Sequence, residues 1–202
     1  KIHQGSVIGA LPQDFSFRGE RSEVVIGECN IIRENVIINR ATHEGDKTVI
    51  GKSNMLMEGV HISHDTKIGN YNVLGYGTKI AGDCEIGNGV IFSSSVIENA
   101  GTRVGDLAML QAGTRFSKDV PPYIIAGGNP IEYGGPNNTM METWKIDDRV
   151  RRHVANAYRL LFHSKNSVYD CMLQIKDQVP DGDQVRKIVK FLQETKAGII
   201  SK

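Results

Sequence analysis

Apolar residues recur every six positions through much of this chain, and this spacing constrains the fold more than any other feature. Stepping by six from Ile50 gives Ile50, Leu56, Ile62, Ile68, Leu74, Ile80, Ile86, Phe92, Glu98, Val104, Leu110 and Phe116. Neither the helical period of about 3.6 residues nor the alternation of an ordinary strand produces this spacing. The spacing predicts a left-handed parallel β-helix, a solenoid built of hexapeptide repeats.

A second period of eighteen residues suggests how the coils are built. Glycine follows the apolar residue at Gly51, Gly69, Gly87 and Gly105, so we expect three six-residue sides in one triangular coil. Stacked coils bury a column of aliphatic side chains, each worth about 1.5–3 kcal/mol. We interpret the glycines as corner residues with positive φ. Glu98 interrupts the apolar column, and a buried unpaired carboxylate is costly, so we expect a distorted strand or a paired glutamate there.

The repeat pattern also divides the chain. It ends at Asp119-Val120-Pro121-Pro122-Tyr123, where two prolines lack the N–H groups that a ladder needs. We assign residues 1–128 to the β-helix and residues 129–202 to a small C-terminal helical domain. Apolar spacing predicts three helices there, around residues 150–161 with Asp147 as N-cap, 168–175 and 185–192. Because Ile2 and Ile8 are already in phase, we expect earlier coils that this sequence lacks.

Two interruptions of the repeat predict loops that leave the coils. In residues 11–23 the six-residue phase falls on Asp14 and Glu20, and near residues 41–47 the glycine spacing lengthens from 18 to 24. Loops carried by a rigid scaffold often hold functional residues. We therefore expect these two segments to contribute to a site.

Composition excludes several classes of function. A net charge of +1 argues against bulk attraction to nucleic acid or to a membrane surface. Cys29, Cys84 and Cys171 are scattered and lack metal-ligand spacing, which predicts no disulfide, no metal and a reducing, cytoplasmic location. No stretch approaches the roughly 18 apolar residues of a membrane-spanning helix.

Two histidines stand together in the segment GVHISHD. His64 follows the inward residue Ile62 by two places, so it should face outward, where a neutral imidazole is suited to general-base catalysis. Asp65 beside it could orient the ring. The alternative is that His61 and His64 are solvated surface residues. A metal site is disfavoured because no third ligand lies nearby.

Gly82 lies eighteen residues after His64. One coil of the predicted solenoid separates them, so Gly82 should stack directly on His64. A glycine N–H at that place could approach a carbonyl oxygen, as an oxyanion hole requires. The alternative is an ordinary turn glycine.

With these residues in view, the chain resembles the family of acyl-carrier-protein-dependent UDP-N-acetylglucosamine 3-O-acyltransferases of lipid A synthesis. The segments that carry the likeness are IGALPQDFSFRGE, IGECNIIRENVIINR, LMEGVHISHD, SKDVPPYIIAGGNP and NAYRLLF. The resemblance implies a bacterial, cytoplasmic homotrimer with active sites between neighbouring β-helices. It also implies transfer of an acyl group from the phosphopantetheine of acyl-carrier protein to the 3-hydroxyl of a UDP-amino sugar, without a bound cofactor.

The resemblance also assigns roles to single residues. It makes His64 the general base, Asp65 its support and Gly82 the oxyanion donor. It places the remaining residues at the sugar-nucleotide site or, for the last one, at the acyl-chain groove: His61, Gln13, Asp14, Asn137 and Ala112.

The chain departs from the family pattern at several of these places. Ser16 replaces a lysine, Thr143 lies in a run that replaces basic residues, and Asn39, Asp83 and Asn99 replace histidines. Two alternatives therefore stay open. One is a related acyltransferase with a different sugar acceptor or a coenzyme A donor, and the other is a non-catalytic trimer that binds a sugar nucleotide.

Overall fold

The computed structural model describes residues 1–201, and these residues form a solenoid of short strands followed by helices. The strands are Val7–Ala10 (β1), Glu23–Ile26 (β2), Ile31–Ile32 (β3), Ile37–Asn39 (β4), Lys47–Ile50 (β5), Met55–Leu56 (β6), His61–Ile62 (β7), Lys67–Ile68 (β8), Val73–Leu74 (β9), Lys79–Ile80 (β10), Glu85–Ile86 (β11), Ile91–Phe92 (β12), Ile97–Glu98 (β13), Arg103–Val104 (β14), Met109–Leu110 (β15), Arg115–Phe116 (β16), Ile124–Gly127 (β17) and Glu132–Pro136 (β18). The helices are Asn138–Thr143 (α1), Asp148–Phe162 (α2), Val168–Gln178 (α3) and Asp183–Glu194 (α4).

The solenoid strands stack into three sheets. Sheet 1 has the order β1-β4-β7-β10-β13-β16, sheet 2 the order β2-β5-β8-β11-β14, and sheet 3 the order β3-β6-β9-β12-β15-β17-β18. From β7 to β16, residues eighteen apart pair in parallel: Ile80 lies between Ile62 and Glu98 on the neighbouring coils. The predicted eighteen-residue coil is therefore confirmed, and its apolar residues form the buried core inside the three sheets.

Glu98 occupies its place in this core without distorting the strand. It pairs in register with Ile80 and with Phe116 and is 1% exposed. Its Oε1 lies 3.1 Å from the Thr102 hydroxyl, which is also 2.7 Å from the Asn99 carbonyl oxygen, and its Oε2 has no partner among residues 1–201. Burial raises the pKa of Glu98 well above its usual range, because leaving water penalises the charged carboxylate more than the neutral acid.

The interpretation of the periodic glycines as positive-φ corners is wrong. Gly51, Gly69, Gly87 and Gly105 lack positive φ. A Cβ on Gly69 would lie 2.5 Å from the carbonyl oxygen of Gly87 in the next coil. These positions require glycine because the backbones of adjacent coils approach closely there.

Positive φ instead occurs three places after the inward residue. Glycine fills this position in some turns, but so do larger residues, for example Ser53, Asp65, Tyr71, Asp83, Ser95 and Leu107. The left-handed conformation is thus a property of the turn, and the coil imposes it on whichever residue falls there.

The interruptions and the end of the solenoid agree with the sequence only in part. Both predicted loops leave the coils, between β1 and β2 and between β4 and β5. After the sequence repeat ends at residues 119–123, β17 still continues sheet 3 by pairing with β15, at a spacing of sixteen residues instead of eighteen, and it lies within the residues 1–128 assigned to the β-helix. Strand β18 then pairs antiparallel with β17 and closes that edge of the sheet.

The helices pack against this last part of the solenoid. Helices α2, α3 and α4 match the three predicted helices, and the side chain of Asp147 caps α2 by accepting from the N–H of Arg149. Helix α1 and strand β18 were not predicted. The Tyr158 hydroxyl donates to the carbonyl of Pro122, and one continuous core joins coils and helices. The boundary at residue 128 stays a prediction. Within residues 1–201 no helix is long and apolar enough to cross a membrane.

Candidate active site

The two loops and His64 lie at the same corner of the solenoid. We define corner 1 as the turns that follow the strands of sheet 1: residues 11–22, 40–46, 63–66, 81–84 and 99–102. Because successive turns stack about 4.8 Å apart, the loops stand beside the turn of His64. The sequence predicted each loop, and the sheet order shows that both emerge at one edge.

His64 is held between two carboxylates. Its side chain is 13% exposed, with Nδ1 at 2.8 Å from Asp65 Oδ2 and Nε2 at 3.7 Å from Asp14 Oδ2. Because the Asp65 carboxylate only accepts hydrogen bonds, it favours the tautomer with the proton on Nδ1. Nε2 is then the nitrogen that can accept a proton from a substrate.

Thr42, in the loop between β4 and β5, is a site residue that the sequence analysis missed. Its N–H lies 3.2 Å and 3.1 Å from the two oxygens of Asp65, and its hydroxyl donates to Asp65 Oδ2. Thr48 Oγ1 accepts from the N–H of Asp65 at 2.9 Å. These bonds fix the carboxylate that orients His64. The sequence showed that a loop was present, but the repeat carries no information about a loop's internal conformation.

Gly82 stacks on His64, as the eighteen-residue spacing predicted. A Cβ on Gly82 would lie 2.4 Å from Cε1 and 2.5 Å from Nε2 of the imidazole, so only glycine fits without moving the ring. Asp83 N–H donates to the carbonyl of His64 at 3.1 Å and joins the two turns. The Gly82 N–H makes no hydrogen bond with any backbone group in residues 1–201. A proton acceptor and an available N–H donor thus lie side by side.

Asp14 reaches the site from the loop between β1 and β2. The N–H and the hydroxyl of Ser16 donate to its Oδ1 at 2.7 Å and 2.5 Å. These hydrogen bonds hold the pKa of Asp14 below its usual value, so the carboxylate stays ionised and its other oxygen faces His64. Ser16 therefore orients Asp14. Gln13 is exposed beside it.

His61 lies on the outer face of β7, and its Nε2 is 3.1 Å from the hydroxyl of Ser63. Partial burial, with a contribution from the Lys79 ammonium, lowers the pKa of His61. At pH 7 the ring is therefore neutral and can both donate and accept hydrogen bonds. This suits recognition of sugar hydroxyls better than attraction of phosphate.

Other residues singled out in the sequence lie elsewhere or serve the fold. Asn137 is buried at the start of α1, where Nδ2 donates to the Leu107 carbonyl at 2.9 Å and Oδ1 accepts from Met140 N–H. Ala112 is exposed in a turn between sheets 3 and 1. Within one chain neither residue lies at corner 1, and their substrate roles stay predictions.

The residues that replace family histidines and basic residues also have defined places. Asn39 is buried, and its Nδ2 donates to the Leu11 carbonyl at 2.6 Å. This hydrogen bond fixes the start of the loop between β1 and β2. Asp83 is exposed next to Gly82, and Asn99 lies in the following turn of corner 1. Thr143 is exposed on α1, where its hydroxyl donates to the carbonyl of Thr139. Among residues 1–201, no three His, Cys, Asp or Glu side chains are placed to hold a metal ion.

Comparison with known proteins identifies the family of this chain. Residues 119–200 match the family described as Udp N-acetylglucosamine O-acyltransferase, Domain 2, and residues 47–82 match the bacterial transferase hexapeptide family. The acyl-[acyl-carrier-protein]–UDP-N-acetylglucosamine O-acyltransferase of Myxococcus xanthus is 35% identical over 200 residues, which are 98% of this chain and 78% of that protein. The protein of the same name from Xanthomonas campestris (strain B100) is 39% identical over 192 residues, 93% of this chain and 72% of its own length.

Solved structures agree. The crystal structure of LpxA, a UDP-N-acetylglucosamine acyltransferase from Bacteroides fragilis, matches with a TM-score of 0.96 and 43% identity, covering 98% of this chain and 78% of that one. LpxA from Acinetobacter baumannii matches with a TM-score of 0.94. The prediction of a left-handed parallel β-helix with a helical C-terminal part is thereby confirmed. By sequence and by fold, the chain belongs to the acyl-[acyl-carrier-protein]–UDP-N-acetylglucosamine O-acyltransferase family.

Proposed function

We propose that this protein transfers an acyl group from acyl-carrier protein to the 3-hydroxyl of UDP-N-acetylglucosamine. The observation that carries the proposal is the contact between His64 and Gly82, which places a proton acceptor beside an N–H with no backbone partner. Relatives that carry this activity in their names cover most of the chain. The acyl donor arrives on the phosphopantetheine of its carrier protein, so the reaction needs no bound cofactor.

The reaction follows from the positions of these two groups. His64 Nε2 takes the proton of the sugar hydroxyl, whose oxygen attacks the carbonyl carbon of the acyl thioester. The carbonyl oxygen becomes an oxyanion and accepts a hydrogen bond from the Gly82 N–H. When the tetrahedral intermediate collapses, the C–S bond breaks and the carrier thiolate takes the proton back from His64. The products are the acylated sugar and the free carrier thiol.

Asp65 and Thr42 support the base. The carboxylate lies 2.8 Å from Nδ1 and stabilises the imidazolium that forms during the attack. The Thr42 N–H and hydroxyl keep that carboxylate in the orientation required. This arrangement leaves Nε2 as the only ring nitrogen that faces substrate.

The acceptor sugar is bound, in this proposal, by the residues around Nε2. Asp14 accepts hydrogen bonds from sugar hydroxyls, Gln13 lies next to it, and the neutral His61 supplies a further contact. Ser16 cannot pair with a phosphate as a lysine does. The diphosphate of the nucleotide therefore receives less support here than the family pattern provides, which favours testing other acceptors alongside UDP-N-acetylglucosamine.

A homotrimer is part of the proposal. The outward residues of sheet 3 form an apolar stripe that runs along the solenoid: Ile31, Met55, Val73, Ile91, Met109 and Ile125. At one end of this stripe, Ile31 is 38% exposed. Such a stripe is suited to burial against another copy of the chain. Ala112, which is exposed, would then be free to face the site of a neighbouring chain, whereas the side chain of Asn137 is buried within its own chain. The cytoplasmic location stays a prediction.

The experiment that tests the function is product formation by wild type and by His64→Ala. Purified protein is incubated with 3-hydroxyacyl-carrier protein and UDP-N-acetylglucosamine, and acylated sugar and free carrier thiol are both measured. Loss of the general base should lower kcat by about 10²–10⁴-fold. His153→Ala, on helix α2, is the matched control and should retain full activity.

The outcomes separate the alternatives. Product from His64→Ala at the wild-type rate would exclude His64 as the base. Turnover of coenzyme A thioesters or of non-nucleotide sugars alone would identify a related transferase with other substrates. Binding of the nucleotide sugar without release of carrier thiol would indicate a non-catalytic protein.

A further inference from the structure

Thr66 connects the turn of His64 to the turn of Gly82. Its side chain is fully buried, and its hydroxyl lies 3.0 Å from the carbonyl oxygen of Ala81 and 3.4 Å from the carbonyl oxygen of His64. A hydroxyl has one proton to donate, and the shorter distance directs that proton to Ala81. One buried side chain thus touches both turns that form the site.

The bond to Ala81 determines where the Gly82 N–H points. The carbonyl of Ala81 and the N–H of Gly82 belong to one planar trans peptide, so they point in opposite directions. When the Thr66 hydroxyl holds the carbonyl toward the interior of the solenoid, the N–H is held away from it, beside the imidazole of His64. Rotation of this peptide would move the N–H away from the developing oxyanion.

We propose that Thr66 is a positioning residue for the acyl transfer. It touches no substrate and acts by fixing the Ala81–Gly82 peptide, so that the Gly82 N–H faces the oxyanion before substrate arrives. Donors of this kind are effective because no reorganisation is needed during the reaction. The inference rests on the function proposed above and adds to it a residue inside the solenoid.

The repeat supplies a matched control. Thr78 occupies the equivalent place in another turn, four residues after the inward Leu74 as Thr66 is four after the inward Ile62, and its hydroxyl donates to the carbonyl of Ser93 at 3.3 Å. Thr78 is also fully buried, but its turn joins sheets 3 and 1 rather than corner 1. Removing either hydroxyl breaks the same kind of bond, and only Thr66 supports the peptide of Gly82.

The test compares Thr66→Val, Thr66→Ser and Thr78→Val in the full protein. We expect Thr66→Val to lower kcat about tenfold, with KM for the acceptor changed less than about twofold and with the pH profile of kcat unchanged, because a misplaced donor weakens transition-state binding alone. Thr66→Ser keeps the hydroxyl and should restore kcat to within about twofold. Thr78→Val should lower the Tm as much as Thr66→Val does while keeping the wild-type kcat.

Three results would overturn the inference. The first is a wild-type kcat in Thr66→Val, and the second is an equal fall of kcat in Thr66→Val and Thr78→Val. The third is a folded Thr66→Ser protein whose kcat is as low as that of Thr66→Val. His64→Ala is measured in the same assay. If that variant kept wild-type activity, the proposed function would fail, and this outcome is distinct from any of the three.

Discussion

At the scale of single residues, the solenoid tolerates a carboxyl group where every neighbour in the column is apolar. Glu98 lies between Ile80 and Phe116, with the Thr102 hydroxyl 3.1 Å from one of its oxygens and no partner for the other. Only the neutral acid is compatible with such surroundings, because an ionised carboxylate there has lost its water. The free energy of unfolding must therefore depend on pH through the titration of Glu98.

The direction of that dependence follows from the raised pKa of Glu98. The folded protein keeps the proton that the unfolded chain releases above its ordinary value near 4.5. The stabilising effect of the protonated group is complete below that pH and is lost as the pH rises toward the folded pKa. Relative to Glu98→Gln, the free energy of unfolding of wild type should fall by up to about 1.4 kcal/mol per pH unit in that window.

Denaturant unfolding of wild type and Glu98→Gln at pH 4, 6 and 8 measures this effect. We expect the variant to gain stability over wild type as the pH rises. Glu28→Gln, which alters an exposed carboxyl, should show a small difference at every pH. A difference between wild type and Glu98→Gln that did not change with pH would contradict the assignment of a neutral Glu98.

Some residues of the candidate site could be predicted from the sequence and others could not. The pairing of His64 with Gly82 was predictable, because in a solenoid a separation of eighteen residues means direct stacking. Thr42 and the Ser16–Asp14 pair were not predictable, because they lie in loops whose conformation the repeat does not determine. Asn137 was singled out as a substrate contact, and its buried amide is already occupied by Leu107 and Met140.

At the scale of the coil, the periodic glycines illustrate how one pattern can have two physical causes. The sequence shows a glycine every eighteen residues but not whether φ or space requires it. The backbone of Gly69 has no positive φ, and its missing Cβ makes room for the Gly87 carbonyl. Positive φ occurs two residues later in the chain, where residues with side chains, such as Tyr71, adopt it. Strand β18 was missed because its glycines and proline mask the pattern of a strand.

This distinction can be measured with two alanine variants. Gly69→Ala puts a Cβ 2.5 Å from backbone atoms of the next coil, so it should reduce the free energy of unfolding by about 3 kcal/mol or more. Gly113→Ala faces open space at φ +73 and should cost only about 1 kcal/mol of left-handed strain. Both are measured by urea unfolding. Equal losses in the two variants would show that coil spacing is not what selects glycine.

At the scale of the whole molecule, two of the outer faces of the solenoid differ in chemistry. Sheet 3 presents the apolar stripe of Ile31 to Ile125, whereas the outward residues at the centre of sheet 2 are Lys67, Glu85 and Arg103. Two faces of one solenoid thus have opposite affinities for water. The apolar face is the one we expect to be covered in the assembled protein.

Sedimentation of two charge variants tests that expectation. Ile91→Glu places a carboxylate in the middle of the stripe, and burying it in an interface is costly, so the trimer should dissociate to monomers. Lys67→Glu changes charge on sheet 2 and should leave the trimer intact. A trimer that persisted in Ile91→Glu, or dissociated in Lys67→Glu, would show that the interface does not lie on sheet 3.

The stacking of His64 under Gly82 has a consequence for how such a chain can change its length. Each coil uses eighteen residues, so gaining or losing a whole coil elsewhere shifts part of the rod along its axis and leaves the two turns adjacent. Between His64 and Gly82 there is no such freedom. A single inserted or deleted residue there would rotate the glycine around the corner and replace it with a neighbour that carries a side chain. The active site therefore tolerates changes in the number of coils but not in the length of the one coil that spans it.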